Sequence, residues 1–149
     1  MANQDHDISV LNGLIATTLD SAAGYAEAAK DADNTRYIQL FRTRAEERSS
    51  VASKLQNEVV RLGGQPEDEG TTLASMHRMF TNLRNSIAGG DTAVVDEVER
   101  GEDHIKHKFE DALADEDLST MARNVVEQAF VSVKSGHDQM RDLKHSLHH

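Results

Sequence analysis

The sequence predicts an all-α protein folded as a helical bundle, and three observations support this fold class. Apolar and small residues recur at spacings of three and four along most of the chain, which is the period of one helix face. No stretch alternates apolar and polar residues over the length of a strand. The strongest helix breakers, Gly63-Gly64 with Pro66 and Gly89-Gly90, lie between the periodic segments rather than inside them.

The first two segments predict long helices over about residues 7–30 and 35–62. Asp7 and Asn34 precede them as helix-capping residues do, and the Gly63-Gly64 pair follows the second as a left-handed helix stop. The positions on their core-facing stripes are Ile8, Leu11, Ile15, Thr18, Ala22, Tyr25 and Ala29, then Ile38, Phe41, Ala45, Arg48, Ala52, Leu55, Val59 and Leu62.

Three more helices are predicted over about residues 72–88, 92–113 and 118–147, and the first of them is shorter than the others. Asp91 precedes the second of these as a capping residue. Their stripes contain Leu73, Met76, Phe80, Leu83 and Ile87, then Val95, Val98, Glu102, Ile105, Phe109 and Ala112, then Val126, Phe130, Val133, His137, Met140, Lys144 and Leu147.

A stripe that repeats about every 3.5 residues packs against similar stripes at a small angle, which predicts a bundle. Four long helices and one short one fit an up, down, return, down, up path, in which the second and third long helices run parallel. That connection is the wiring of ferritin-like folds. We therefore expect residues 1–149 to form one domain, a ferritin-like up-down four-helix bundle with a shorter crossover helix between the second and third long helices.

Composition excludes several classes of function. The chain carries 16 Lys and Arg against 26 Asp and Glu, a net charge of −10, so nucleic acids and anionic membranes are unfavourable partners. Without cysteine there is no disulfide, no thiol catalysis and no thiolate metal site. The polar start does not resemble a signal peptide and no apolar run is as long as a membrane span, which predicts a cytoplasmic protein.

Three strongly polar residues, Arg48, Glu102 and His137, interrupt the apolar stripes. Each lies about 17–18 Å from the same end of the predicted bundle at 1.5 Å per residue, and Thr18 and Tyr25 lie just either side of that depth on the first helix. Because an unpaired buried charge costs several kcal/mol, we expect these residues to form one polar layer between apolar ones.

Two interpretations of this layer are open. In the structural one, Arg48 and Glu102 form a buried ion pair, and His137 and Tyr25 complete its hydrogen bonds. In the other, Glu99, Glu102 and His137 are ligands of Fe or Mn. The structural interpretation is favoured, because the Glu-x-x-His motifs of di-metal bundles are absent and Arg48 would place a fixed positive charge in the site.

The other histidines are expected on the surface. His104 and His107 have a spacing that can capture zinc or nickel, yet they fall on the solvent side of their predicted helix. Three more histidines lie at the end of the chain, where adventitious metal binding has no biological meaning: His145, His148 and His149.

Five short motifs resemble a bacterial ferritin-like family of unknown function over nearly the whole chain. They are the run at residues 9–15, the Arg61-Leu62-Gly63-Gly64-Gln65-Pro66 turn, the Gly89-Gly90-Asp91 break, Glu99-Arg100-Gly101-Glu102-Asp103 and the His137-Asp138 pair. The resemblance implies a ferritin-like four-helix bundle with a crossover helix. It implies no reaction, ligand or catalytic residue.

The function that follows is a non-enzymatic bundle without a cofactor, acting through self-association, for example as a homodimer, or through protein partners. The alternative is a di-metal carboxylate oxidase or peroxidase, or an iron-handling protein, with an atypical site in the bundle core. A DNA-coating stress protein is a weaker third option, because the negative charge of the chain disfavours it.

Overall fold

The computed structural model describes residues 2–69 and 90–147, and these residues form four α-helices. They are α1 (Ala2–Asp31), α2 (Thr35–Arg61), α3 (Gly90–Leu113) and α4 (Thr120–Leu147). The described residues contain no strand, so the all-helical, four-helix class is confirmed. The predicted helix over residues 72–88 lies outside the described residues. None of the four described helices combines the length and the apolarity of a membrane span.

The four helices pack as a square. α1 lies against α2 and α3, and α4 lies against the same two helices, so α2 and α3 occupy one diagonal. The carboxylate of Asp91, inside α3, accepts the backbone N–H groups of Asp33 and Asn34, which places the start of α3 beside the α1–α2 turn. The end of α3 lies beside the start of α1, because His6 Nε2 is 2.7 Å from Asp115 Oδ2. α2 and α3 therefore run parallel, and α1 and α4 run antiparallel to them.

Helix ends agree with the sequence in part. Asn34 caps α2 through its side chain, and Gly63 has a φ of +82°, as the predicted helix stop requires. The prediction that Asp7 caps the first helix is wrong, because α1 begins at Ala2. Asp7 is instead 2% exposed, and its carboxylate accepts the backbone N–H of Ser119 at 3.0 Å across the bundle.

The core consists of two apolar clusters at different depths. We call the end of the bundle at the start of α1 the lower end, and the end at the α1–α2 turn the upper end. The lower cluster surrounds the stacked rings of Phe109 and Phe130, whose centroids are 6.2 Å apart. The upper one surrounds Tyr25 and Phe41, with centroids 6.0 Å apart. On each helix the residues between the two clusters are polar or small: Thr18 and Ser21, Arg44 and Arg48, Glu102, and Gly136 and His137. This polar layer lies midway along the bundle.

Candidate functional site

An ion pair joins α2 to α3 across the centre of the bundle. Arg48 is 0% exposed and Glu102 is 1% exposed. Arg48 Nη1 is 2.7 Å from Glu102 Oε1, and Nη2 donates to Oε2 at 2.8 Å. The guanidinium and the carboxylate thus meet through two parallel bonds, which is the strongest pairing these groups form. The structure brings these two sequence-predicted residues together.

The other two helices complete the surroundings of the guanidinium. Arg48 Nη1 also donates to Ser21 Oγ of α1 at 2.9 Å, and Nη2 donates to the backbone carbonyl of Val133 in α4 at 3.3 Å. The guanidinium carbon lies 5.7 Å from the centre of the Tyr25 ring, close enough for a cation–π interaction. Arg48 Nε has no hydrogen-bond partner among the described residues. One side chain of α2 therefore contacts all three other helices.

Gly136 makes room for this side chain. A Cβ built on Gly136 would collide with the Arg48 guanidinium and would lie 3.2 Å from the guanidinium carbon of Arg44. Three members of the polar layer were not predicted from the sequence: Gly136, Ser21 and the Val133 carbonyl. The sequence does contain an indication of Gly136, because a glycine inside a long helix costs stability and therefore indicates close packing at that position.

Tyr25 lies in the layer, and its hydroxyl is beside the Glu102 carboxylate without a well-formed hydrogen bond to it. The side chain is 3% exposed, and its hydroxyl has no hydrogen-bond partner among the described residues. Burial, and next the nearby Glu102 carboxylate, raise the pKa of Tyr25 well above its ordinary value. A cavity of about 10 Å³, room for about one water molecule, separates α1 from α3 beside these two residues.

Thr18 and His137 lie at the expected depth but do not bond to the ion pair. The Thr18 hydroxyl donates to the carbonyl of Leu14 in its own helix at 2.6 Å. His137 Nε2 is 2.6 Å from Asp103 Oδ1, so its partner on α3 is the neighbour of Glu102. Gly136 faces the guanidinium, and a helix turns about 100° per residue, so His137 points to the seam between α3 and α4.

The metal-ligand set considered from the sequence is not brought together as expected. Glu102 is bound to Arg48, and Asp103 takes its place beside the other two residues. One ligand atom from each of Glu99, Asp103 and His137 lies within 4.8 Å of the other two. Sequence reasoning missed Asp103 because only Glu102 falls on the apolar stripe.

A second acidic group lies at the lower end of the bundle. His6, Asp115 and Asp117 also bring ligand atoms within 4.8 Å of one another. The backbone N–H of Asp117, and next the His6 side chain, lower the pKa of Asp115. All three residues are partly or fully exposed, and these contacts join the start of α1 to the α3–α4 loop. The His6–Asp115 contact thus links the start of α1 to this loop.

The comparison with known proteins identifies a family but no activity. A family model described as Domain of unknown function (DUF2383) matches residues 6–115. The matched region contains Arg48 and Glu102, and it ends before α4. No curated protein matches the chain. The resemblance to a family of unknown function is therefore confirmed.

Proposed function

The chain belongs to the DUF2383 family, whose description names no activity, and we propose that it is a non-enzymatic, ferritin-like four-helix bundle that functions by pairing with a second copy of itself. The observation that carries the non-enzymatic part is the buried bond between Arg48 and Glu102. An arginine stays protonated at any physiological pH. It occupies the space between the helices where carboxylates hold cations in di-metal bundles.

The helix directions support the ferritin-like assignment. α2 ends beside the start of α1, where Asn12 Nδ2 donates to the carbonyl of Gln65 at 3.0 Å. α3 begins at the opposite end of the bundle, beside Asp33 and Asn34. The end of α2 and the start of α3 therefore lie at opposite ends of the bundle, as the corresponding helix ends do in ferritin-like folds.

The distribution of charge indicates which surface of the bundle faces the second copy. α1 and α3 together carry thirteen Asp and Glu against four Lys and Arg, whereas α2 and α4 carry six against ten. The acidic excess of the helices is therefore confined to the α1–α3 half. Two copies approaching through their α1–α3 halves would repel each other, and two α2–α4 faces would not.

The lower part of the α2–α4 face is also the least charged. The exposed residues within 49–60 of α2 and 121–131 of α4 are called the α2–α4 patch. Only Lys54 and Glu127 in it are charged, and depletion of charge is typical of interface centres. The patch contains the large apolar side chains that are most exposed in the described chain: Val60 at 60%, Met121 at 59% and Val131 at 72%.

The two charges of the patch lie at equal depth. Lys54 is six residues after Arg48 on α2, and Glu127 is six residues before Val133, whose carbonyl Arg48 contacts. Neither forms an ion pair with a described residue. Glu127 lies four residues after Arg123 and three before Phe130, both of which contact the α3 side, so it lies at the α3 edge of the patch. A two-fold axis parallel to the helices would place α2 of each copy against α4 of the other, with the apolar side chains of the two patches in contact.

Sedimentation velocity over a range of protein concentrations tests this pairing. We expect a reversible dimer that Val131→Glu weakens about 10-fold, because the substitution places a charge among the apolar side chains of the patch.

The matched control is Ala26→Glu, which adds the same charge at an exposed position of α1, and it should leave the dimer unchanged. A protein that stays monomeric at all concentrations contradicts the proposal. So does a Val131→Glu variant that dimerises as tightly as the wild-type protein.

A further inference from the structure

We propose that Glu99, Asp103 and His137 form a site for one divalent cation of the zinc class at the seam between α3 and α4. Their ligand atoms lie within 4.8 Å of one another. The site does not include Glu102, which is bound to Arg48, so it is separate from the core ion pair and independent of the proposed pairing.

The buried imidazole distinguishes this group from an ordinary surface acidic cluster. The His137 side chain is only 7% exposed, and its Nε2 atom faces Asp103, which is 51% exposed. Glu99 is 12% exposed. Glu99 and Asp103 are four residues apart, so they project from the same face of α3 toward α4. An ion can thus enter from solvent past Asp103 and reach an imidazole that the helices hold in place.

The second nitrogen of the imidazole is held in the way that metal-bound histidines are held. His137 Nδ1 lies 3.3 Å from Asp138 Oδ1 on the same helix. Metal-ligating histidines almost always donate their other ring N–H to a carboxylate, a carbonyl or water, which fixes the tautomer and ring orientation. Without an ion, the 2.6 Å contact between Nε2 and Asp103 Oδ1 requires a proton between these two atoms. A bound ion would displace that proton, and an Nδ1–H group directed to Asp138 would leave the lone pair of Nε2 to the ion.

The donor set and its charge fit Zn²⁺. One imidazole nitrogen and two carboxylate oxygens are typical ligands of zinc, and three protein ligands leave the fourth tetrahedral position to water. Lys144 Nζ lies 3.3 Å from Glu99 Oε2 and is the cation now beside that carboxylate. Its side chain is 38% exposed and flexible, so it can turn into solvent when a dication binds.

Isothermal titration of the full chain with Zn²⁺ tests the site, in a background with His145, His148 and His149 replaced by Gln. We expect one ion per chain. His137→Gln and Glu99→Gln should each weaken binding by about 100-fold or more, and Asp138→Asn by about 10- to 100-fold. As matched controls, His104→Gln with His107→Gln on α3, and His6→Gln at the lower end, should leave the affinity unchanged.

Thermal unfolding with and without Zn²⁺ separates loss of the site from loss of the fold. Zn²⁺ should raise the unfolding temperature of the wild-type background, and a folded Glu99→Gln variant should lose that rise. The proposal is overturned if the wild-type background binds no Zn²⁺, if folded Glu99→Gln binds it as tightly, or if the His104 and His107 substitutions remove the binding.

Discussion

Arg48 shows that a buried charged residue can fix the arrangement of a core without adding to the free energy of unfolding. Its side chain contacts the three other helices, and its charge is matched by a single carboxylate, Glu102. Removing both charges from water costs several kcal/mol, which the attraction between them repays only in good geometry. We infer that the pair mainly fixes the relative depth of the helices.

Substitution of only one residue of the Arg48–Glu102 pair should lower the stability of the protein far more than substitution of both. Arg48→Met leaves the Glu102 carboxylate buried and unpaired, and we expect a loss of about 3–5 kcal/mol in the free energy of unfolding. The double variant Arg48→Met with Glu102→Leu should lose much less, and some gain in stability is within the expected range. Urea denaturation measures both.

The control is Arg42→Met, an exposed position of the same helix, which should change the free energy of unfolding by less than about 0.5 kcal/mol. If Arg48→Met is as mild as this control, the Glu102 carboxylate finds another partner or water, and the buried pair does not have the role assigned to it.

For single residues, the sequence predicted the depth of a side chain in the bundle better than the direction in which it points. Counting residues from the helix ends was enough to place Arg48, Glu102 and His137 at one level. It could not show that His137 faces Asp103, since a shift of one residue on α3 turns the side chain by about 100°. Nor could it identify Ser21, an ordinary small polar residue of a helix whose hydroxyl accepts from the guanidinium.

The helices themselves were largely predictable because their stripes are long and regular. Their ends were less so. Asp7 and Asp91 are the residue type that caps helices, and each uses its carboxylate for backbone N–H groups of another segment instead. Since a carboxylate can serve either role, the residue type alone does not mark where a helix begins.

Two glycines inside helices should respond to alanine in opposite ways. Gly136→Ala on α4 places a methyl group against Arg48, and we expect a loss of about 1–3 kcal/mol from overpacking. Gly13→Ala on α1 meets nothing within 4 Å, so it should gain about 0.5–1 kcal/mol from helix propensity. Equal gains for both variants, measured by urea denaturation, would mean that α4 does not approach the guanidinium closely.

In the whole molecule, the four-helix packing and the parallel direction of α2 and α3 followed from the order and length of the predicted segments. The separation of charge between the two helix pairs did not, because it depends on which helices become neighbours. That separation underlies the proposed pairing through the α2–α4 patch. The site at the α3–α4 seam could not be predicted from the sequence either, because it depends on the packing of α3 against α4, which places Asp103 beside His137.

The central claim is that the bundle core holds an ion pair where a di-metal protein would hold two cations. The most direct test is elemental analysis of the Asp103→Asn variant after equilibration with Fe²⁺ or Mn²⁺, with the three terminal histidines replaced by Gln. This variant weakens the seam site and leaves Glu99, Glu102 and His137 intact. We predict less than one bound ion per chain, and two ions per chain that are lost on Glu102→Gln would contradict the account.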